Sequence, residues 1–165
     1  YQTPTSLFGH LLTYDAQWNP EPLFDAPLLA SVLTLGSILG IVGLSMVVGA
    51  RRTSRQQQPP HDLTFAAFAI VSVLIVPLAL DYHYMLLLVP IMILVAQEWW
   101  THRSKLVLAL AVALIATAVA YRQSALSAGW WALLAYPKLY GAVLLWGLAI
   151  WQGRSLTLKP LGVSD

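Results

Sequence analysis

Residues Pro27 to Ala50 read PLLASVLTLGSILGIVGLSMVVGA, a run with no charged side chain that stops at Arg51 and Arg52. A helix crosses the hydrocarbon core of a bilayer with roughly 20 predominantly apolar residues, so this stretch reads as a membrane span. Pro27 opens it at a first-turn position, where a missing N–H costs nothing. Four further apolar stretches follow: Leu63 to Leu80, about Tyr84 to Trp100, Leu106 to Tyr121, and Trp130 to Trp151 with Pro137 and Lys138 near its start. The short polar break Asp81-Tyr82-His83-Tyr84 separates the second stretch from the third, and the two read as a tight hairpin. The expected fold is all-α, a polytopic transmembrane helix bundle of about five spans. Residues 1–26 form an outer-face segment, 27–151 the bundle and 152–165 a cytoplasmic tail.

Composition points the same way. Of 165 residues, 58% are hydrophobic and 10% are charged, and the mean hydropathy is +0.69. Soluble domains carry about 25% charged residues, so most of this chain is suited to lipid rather than water. There is no cysteine, which removes disulfides, thiolate metal sites and cysteine nucleophiles. A net charge of +2 is spread among apolar runs and forms no basic face, so nucleic acid is excluded as a partner.

Cytoplasmic loops of membrane proteins retain Lys and Arg. Counting on alternate sides places Arg51, Arg52, Arg55, Arg103, Lys105, Arg154 and Lys159 on one side, and Arg122 and Lys138 on the other. The segment before the first span holds Asp15, Glu21 and Asp25 but no Lys or Arg. That bias puts residues 1–26, the Asp81–Tyr84 turn and residues 122–138 outside and the C-terminal tail inside, as in a multi-pass plasma membrane protein. Trp99, Trp100, Trp130, Trp131 and Trp151 then fall at interfaces, where indoles prefer to sit. The chain opens at Tyr1 with no basic n-region, so it reads as a C-terminal part of something larger rather than a signal peptide with a mature domain.

Few residues have the chemistry of a site. Asp81 and His83 either satisfy the backbone donors of their turn or face a pocket at the outer leaflet, binding a polar headgroup or assisting proton transfer. Arg122 and Lys138 either snorkel to the surface or hold the phosphate of a lipid-linked substrate. Gly36 and Gly40 form a Gly-x-x-x-Gly pair that suits close helix packing, within the chain or with a partner helix. Pro77, Pro90 and Pro137 are expected to kink or interrupt spans. His10, His61 and His102 have no metal-ligand spacing, and no metal site or other cofactor is evident.

The opening Tyr1-Gln2-Thr3-Pro4-Thr5-Ser6-Leu7-Phe8-Gly9-His10-Leu11-Leu12 resembles the Asn-Gln-Ser-Leu-x-Gly-Leu-Leu stretch of an outer loop in polyprenol-phosphate-dependent glycosyltransferases of the GT-C type, which include bacterial alpha-mannosyltransferases. Pro77-Leu78-Ala79-Leu80-Asp81-Tyr82-His83-Tyr84-Met85-Leu86-Leu87-Leu88-Val89-Pro90 resembles that family's Ser-Pro, Trp or Asp with His, and Leu-Leu-Leu-x-Pro pattern. Tyr1 stands in place of the family's Asn, Thr-Pro-Thr-Ser in place of Ser-Leu, and Leu80 in place of a Trp. The resemblance implies an enzyme that moves a hexose such as mannose from a polyprenyl-phosphate carrier, its donor substrate, to a lipid or glycan acceptor on the outer face. It implies that Gln2, Thr5 and Ser6 touch sugar or acceptor and that Asp81, His83, Arg122 and Lys138 line the lipid-phosphate side. It also places the catalytic carboxylate in an outer loop upstream of Tyr1. The expected partners are membrane lipids, the lipid-linked sugar, and helices of an N-terminal part or a partner subunit. Two other functions fit five spans: a non-enzymatic assembly subunit, and a transporter or permease module, though the span interiors lack the ionisable residues that couple transport.

Overall fold

The computed structural model describes residues 2–16, 19–54, 61–97, 101–117, 126 and 129–155. They form six α-helices, α1 (Pro4–Leu12), α2 (Pro27–Ser54), α3 (His61–Leu74), α4 (Leu88–Val95), α5 (His102–Ala116) and α6 (Pro137–Ser155). Two 3-10 helices, Asp81–Leu87 and Gly129–Ala135, precede α4 and α6. Among the described residues there is no strand beyond the single bridge Asp15–Asn19, and the fold is all-helical.

Helix α1 lies in the segment expected to be an outer loop, and its ends show why it forms. Thr3 caps it by accepting the Ser6 N–H at 3.1 Å, Pro4 occupies the first turn, and the Thr13 N–H closes the last turn on the Gly9 carbonyl. The next residues fold back and satisfy carbonyls that a helix end leaves open: Leu23 and Ala26 donate to Leu11 and Leu12 at 2.9 and 2.8 Å. The Asn19 side chain donates to the carbonyls of His10 and Thr13 at 2.7 and 2.6 Å. Ala26 then accepts from Ala30 at the start of α2.

Helix α2 has 28 residues, about 42 Å at 1.5 Å per residue. Its Pro27–Arg51 portion is long and apolar enough to cross a membrane, and only 11% of its most apolar window is buried within the protein. It contributes Ala30 and Val48 to the core cluster, whereas Leu28, Val32, Leu35, Leu39 and Met46 stand out, Leu28 at 83% exposure. Monomeric soluble proteins rarely expose large contiguous apolar faces.

The other elements pack together. Helix α3 is the most enclosed, burying Leu63, Ala66, Ala67, Ile70, Val71, Val73 and Leu74 against α4, the Asp81–Leu87 helix and α6. The tightest contact joins α5 and α6. A Cβ added to Gly141 would lie 2.6 Å from the Ala111 carbonyl oxygen and 2.7 Å from Ile115 Cγ1, so only glycine fits. Ala111, Ala142 and Leu145 are fully buried at that seam. A polar contact between α2 and α6 runs from Trp146 Nε1–H to Ser45 Oγ at 2.9 Å, while the Ser45 hydroxyl donates to the Ile41 carbonyl at 2.7 Å.

The expected span limits differ from the helices outside α2. The 63–80 stretch is helical only to Leu74, and Pro77, which has no N–H to continue the ladder, lies in the break that follows. The 84–100 stretch begins in a 3-10 helix and is α-helical only over Leu88–Val95, where Pro90 sits in the first turn; residues 98–100 lie outside the described set. The 106–121 stretch starts earlier, at His102, because Thr101 caps the Ser104 N–H at 3.2 Å, and its helix ends at Ala116. The 130–151 stretch is broken before Pro137, bending 58° between the Gly129–Ala135 helix and α6. Helices α3 and α5, with 14 and 15 residues, reach about 21 and 22 Å, short of the ~30 Å hydrocarbon core. Among the described residues α2 is thus the single unbroken helix long and apolar enough to cross a membrane, with the bent pair as a second candidate.

Candidate functional site

The polar groups of this apolar molecule converge on one junction. Gln2 and Thr3 are buried at the start of α1, between the Pro77 break, the Asp81–Leu87 helix and the start of α6. The Gln2 side-chain amide donates to the Ala135 carbonyl at 3.1 Å, and its Oε1 accepts the Lys138 backbone N–H at 2.9 Å. Lys138 is the second residue of α6, so its N–H is one of the donors a helix start leaves without an internal partner. Gln2 therefore caps a helix more than 130 residues away in sequence. The Gln2 carbonyl also accepts a short hydrogen bond from the Tyr84 hydroxyl. The Thr3 hydroxyl lies 3.1 Å from both the Pro77 carbonyl and Ser6 Oγ.

A second strand of the same junction runs through Tyr136, which is 1% exposed. Its hydroxyl donates to the Ser6 carbonyl at 2.8 Å and lies 3.1 Å from His10 Nδ1, with the two rings edge to face at 5.9 Å. A phenol has one proton, and here it goes to Ser6; the His10–Tyr136 bond therefore requires the proton on Nδ1. His10 is held in that form by Tyr136 and anchored through its carbonyl by Asn19.

His83 has the opposite form. Its Nδ1 accepts the Leu80 N–H at 3.0 Å, which leaves Nε2 to carry the proton in the neutral ring. The ring stacks on exposed Tyr82 at 4.2 Å and an interplanar angle of 29°. One nitrogen thus satisfies a turn donor, and the imidazole is fixed in orientation.

The expected site residues divide as follows. Gln2, Ser6 and Lys138 meet at the junction, and His83 is the neighbour of its Tyr84. Thr5 is exposed on α1. Asp81 begins the 3-10 helix, and the position of its side chain is outside the description, as is Arg122 altogether. Both amide atoms of Gln2 bond main-chain groups, so its evident work is to hold the junction. His10, Tyr84 and Tyr136 complete the arrangement, and no spacing in the sequence signals them, since His10 and Tyr136 are 126 residues apart. Among the described residues no group of three or more His, Asp and Glu side chains is placed to hold a metal ion.

Chemically the junction offers oriented hydrogen-bond groups and one imidazole, that of His10. The molecule that carries it belongs to the class of all-helical proteins with a helix able to cross a membrane. No family model matches the chain, and no curated protein or solved structure matches it either.

Proposed function

We propose that this chain is the C-terminal membrane part of a glycosyltransferase that moves a hexose from a polyprenyl-phosphate carrier to a lipid or glycan acceptor on the outer face of the plasma membrane. In this reading α2 and the bent Gly129–Ala135/α6 pair cross the bilayer, and α3, the hairpin leading into α4, and α5 complete a five-span bundle. The carrying observation is the Gln2 junction. The three segments that the Lys and Arg bias assigns to the outer side, around Gln2, Tyr84 and Lys138, are bonded to one another at one end of the helices. A hydrogen-bonding platform at that depth suits a sugar and a lipid phosphate, and the carboxylate that activates the acceptor comes from upstream of Tyr1. His83, with Nε2–H available as a donor, Arg122 and Lys138 stabilise the departing phosphate, with Asp81 beside them; Thr5 and Ser6 face sugar or acceptor, and Gln2 positions them.

The test is transfer from a polyprenyl-phosphate hexose by membranes carrying the full-length protein. His83→Ala and Arg122→Ala each lower the rate by about 100-fold, the usual effect of losing one charge-stabilising group; near-normal rates in both remove the proposal. Because the chain has no cysteine, sidedness is read independently. Thr5→Cys labels with an impermeant maleimide in intact cells, and Arg103→Cys only after permeabilisation. A second reading, a non-enzymatic assembly subunit, is favoured by one observation: a Cβ added at Gly36, Gly40 or Gly43 would meet none of the described residues within 4 Å. Stable co-purification of a partner without transfer activity would select it.

A further inference from the structure

Away from the junction, one side of α5 lines a groove of about 540 Å³. Lys105, Leu108, Ala109, Val112 and Ala113 recur there at i, i+3, i+4, i+7 and i+8, one helical stripe, with Val95 at the end of α4 as the facing wall. The two alanines keep the floor low, the larger side chains form the sides, and Lys105 is the single charged residue, at the end where α5 begins. The volume falls within the ~300–1,000 Å³ typical of small-ligand sites. Three features make this end electropositive. Lys105 is exposed in the first turn of α5, no acidic residue lies in that turn, and the helix dipole adds positive potential. Lys105 belongs to the Lys- and Arg-rich side of the chain, where basic pockets between membrane helices recognise anionic lipid headgroups.

We infer that this groove is a binding site for an anionic phospholipid of the inner leaflet, one acyl chain lying along Ala109 and Ala113 and the phosphate held at the rim by Lys105. The apolar walls alone would take any acyl chain; the charged rim selects the headgroup. The inference rests on the membrane reading above but on none of the residues of the junction.

The experiment is native mass spectrometry of the purified chain released from detergent with phosphatidylglycerol or phosphatidylcholine of matched acyl chains. Phosphatidylglycerol adducts exceed phosphatidylcholine adducts by about fivefold for each basic residue engaged. Lys105→Glu brings the two lipids to parity, and Ala109→Phe, which fills the floor, removes adducts of both. Ala113→Phe serves in its place if circular dichroism shows that Ala109→Phe loses helix. Equal retention of the two lipids by the unaltered chain, a preference that survives Lys105→Glu, or adducts undiminished by the filled floor would each overturn the inference. Alkaline carbonate extraction separates the two readings. A chain released from membranes removes the membrane reading and this site with it, whereas a chain that stays with them but shows no headgroup preference removes only the site.

Discussion

Gly141 on α6 and Gly40 on α2 lie in apolar helices of the same chain, yet their surroundings are opposite. An added Cβ at Gly141 would collide with the Ala111 carbonyl, whereas at Gly40 it would meet nothing within 4 Å. The first glycine exists because two backbones touch. The second lies on a helix that exposes many large side chains along one face while packing along α1 and touching α3 and α6, with Ala30 and Val48 in the core and Ser45 bonded to Trp146. One molecule therefore contains a close backbone-to-backbone seam between α5 and α6 and a long helix with one face packed and one face open. Small residues in a membrane sequence carry no meaning until it is known which of these two regions holds them.

The largest expected effect tests the packed side. Gly141→Ala destabilises the protein by about 3 kcal/mol, since a backbone oxygen cannot move aside as a side chain can, measured as the midpoint of unfolding by SDS titration from mild detergent. An unchanged midpoint would mean that α5 and α6 are not in contact there. Next, Gln2→Ala leaves the Ala135 carbonyl and the Lys138 N–H without their partner, at a cost of about 2 kcal/mol by the same measurement. It also frays the start of α6, seen as faster amide exchange at Lys138 and Leu139; exchange as slow as in the unaltered chain would show that Gln2 does not cap it. Trp146→Phe removes one hydrogen bond between α2 and the bundle and costs about 1 kcal/mol. A cost near zero there would mean that α2 is not joined to the bundle through Ser45. The smallest effect has the opposite sign: Gly40→Ala raises helix stability by about 0.5–1 kcal/mol, because alanine gives up less backbone freedom. If Gly40→Ala instead lowers stability, a second helix packs on that face, and the comparison becomes one between two interfaces.

How much of this was legible in the sequence follows from the range of the forces involved. Helix α2 is readable from Pro27 to its arginines because a long run without charge is a local property. The stretches around Pro77 and Pro137 read as spans, since apolar composition does not reveal where a backbone breaks, although both prolines signal a kink or interruption. The start of α5 moved to His102 because a threonine cap outweighs the polar residues that follow it. For the site, the resemblance names Gln2, Thr5, Ser6, Asp81, His83, Arg122 and Lys138, and of these Gln2, Ser6 and Lys138 meet at the junction. The partners that make it a junction, Tyr84, Tyr136 and two backbone carbonyls, come from segments 74 to 136 residues apart. No periodicity reaches that far. The wedge at Gly141 was equally silent, as one glycine among ten.

The Gln2 cap has a consequence in time. Its partner Ala135 is made 133 residues later, and at the ~5–20 residues per second of synthesis the start of α1 waits about 7 to 27 s for the element that buries it. During that interval the side-chain amide of Gln2 is left to water or to transient partners, whereas the Thr3 hydroxyl already has Ser6. The start of α6 therefore completes the surroundings of Gln2 long after the end of α1 has bonded to Leu23 and Ala26.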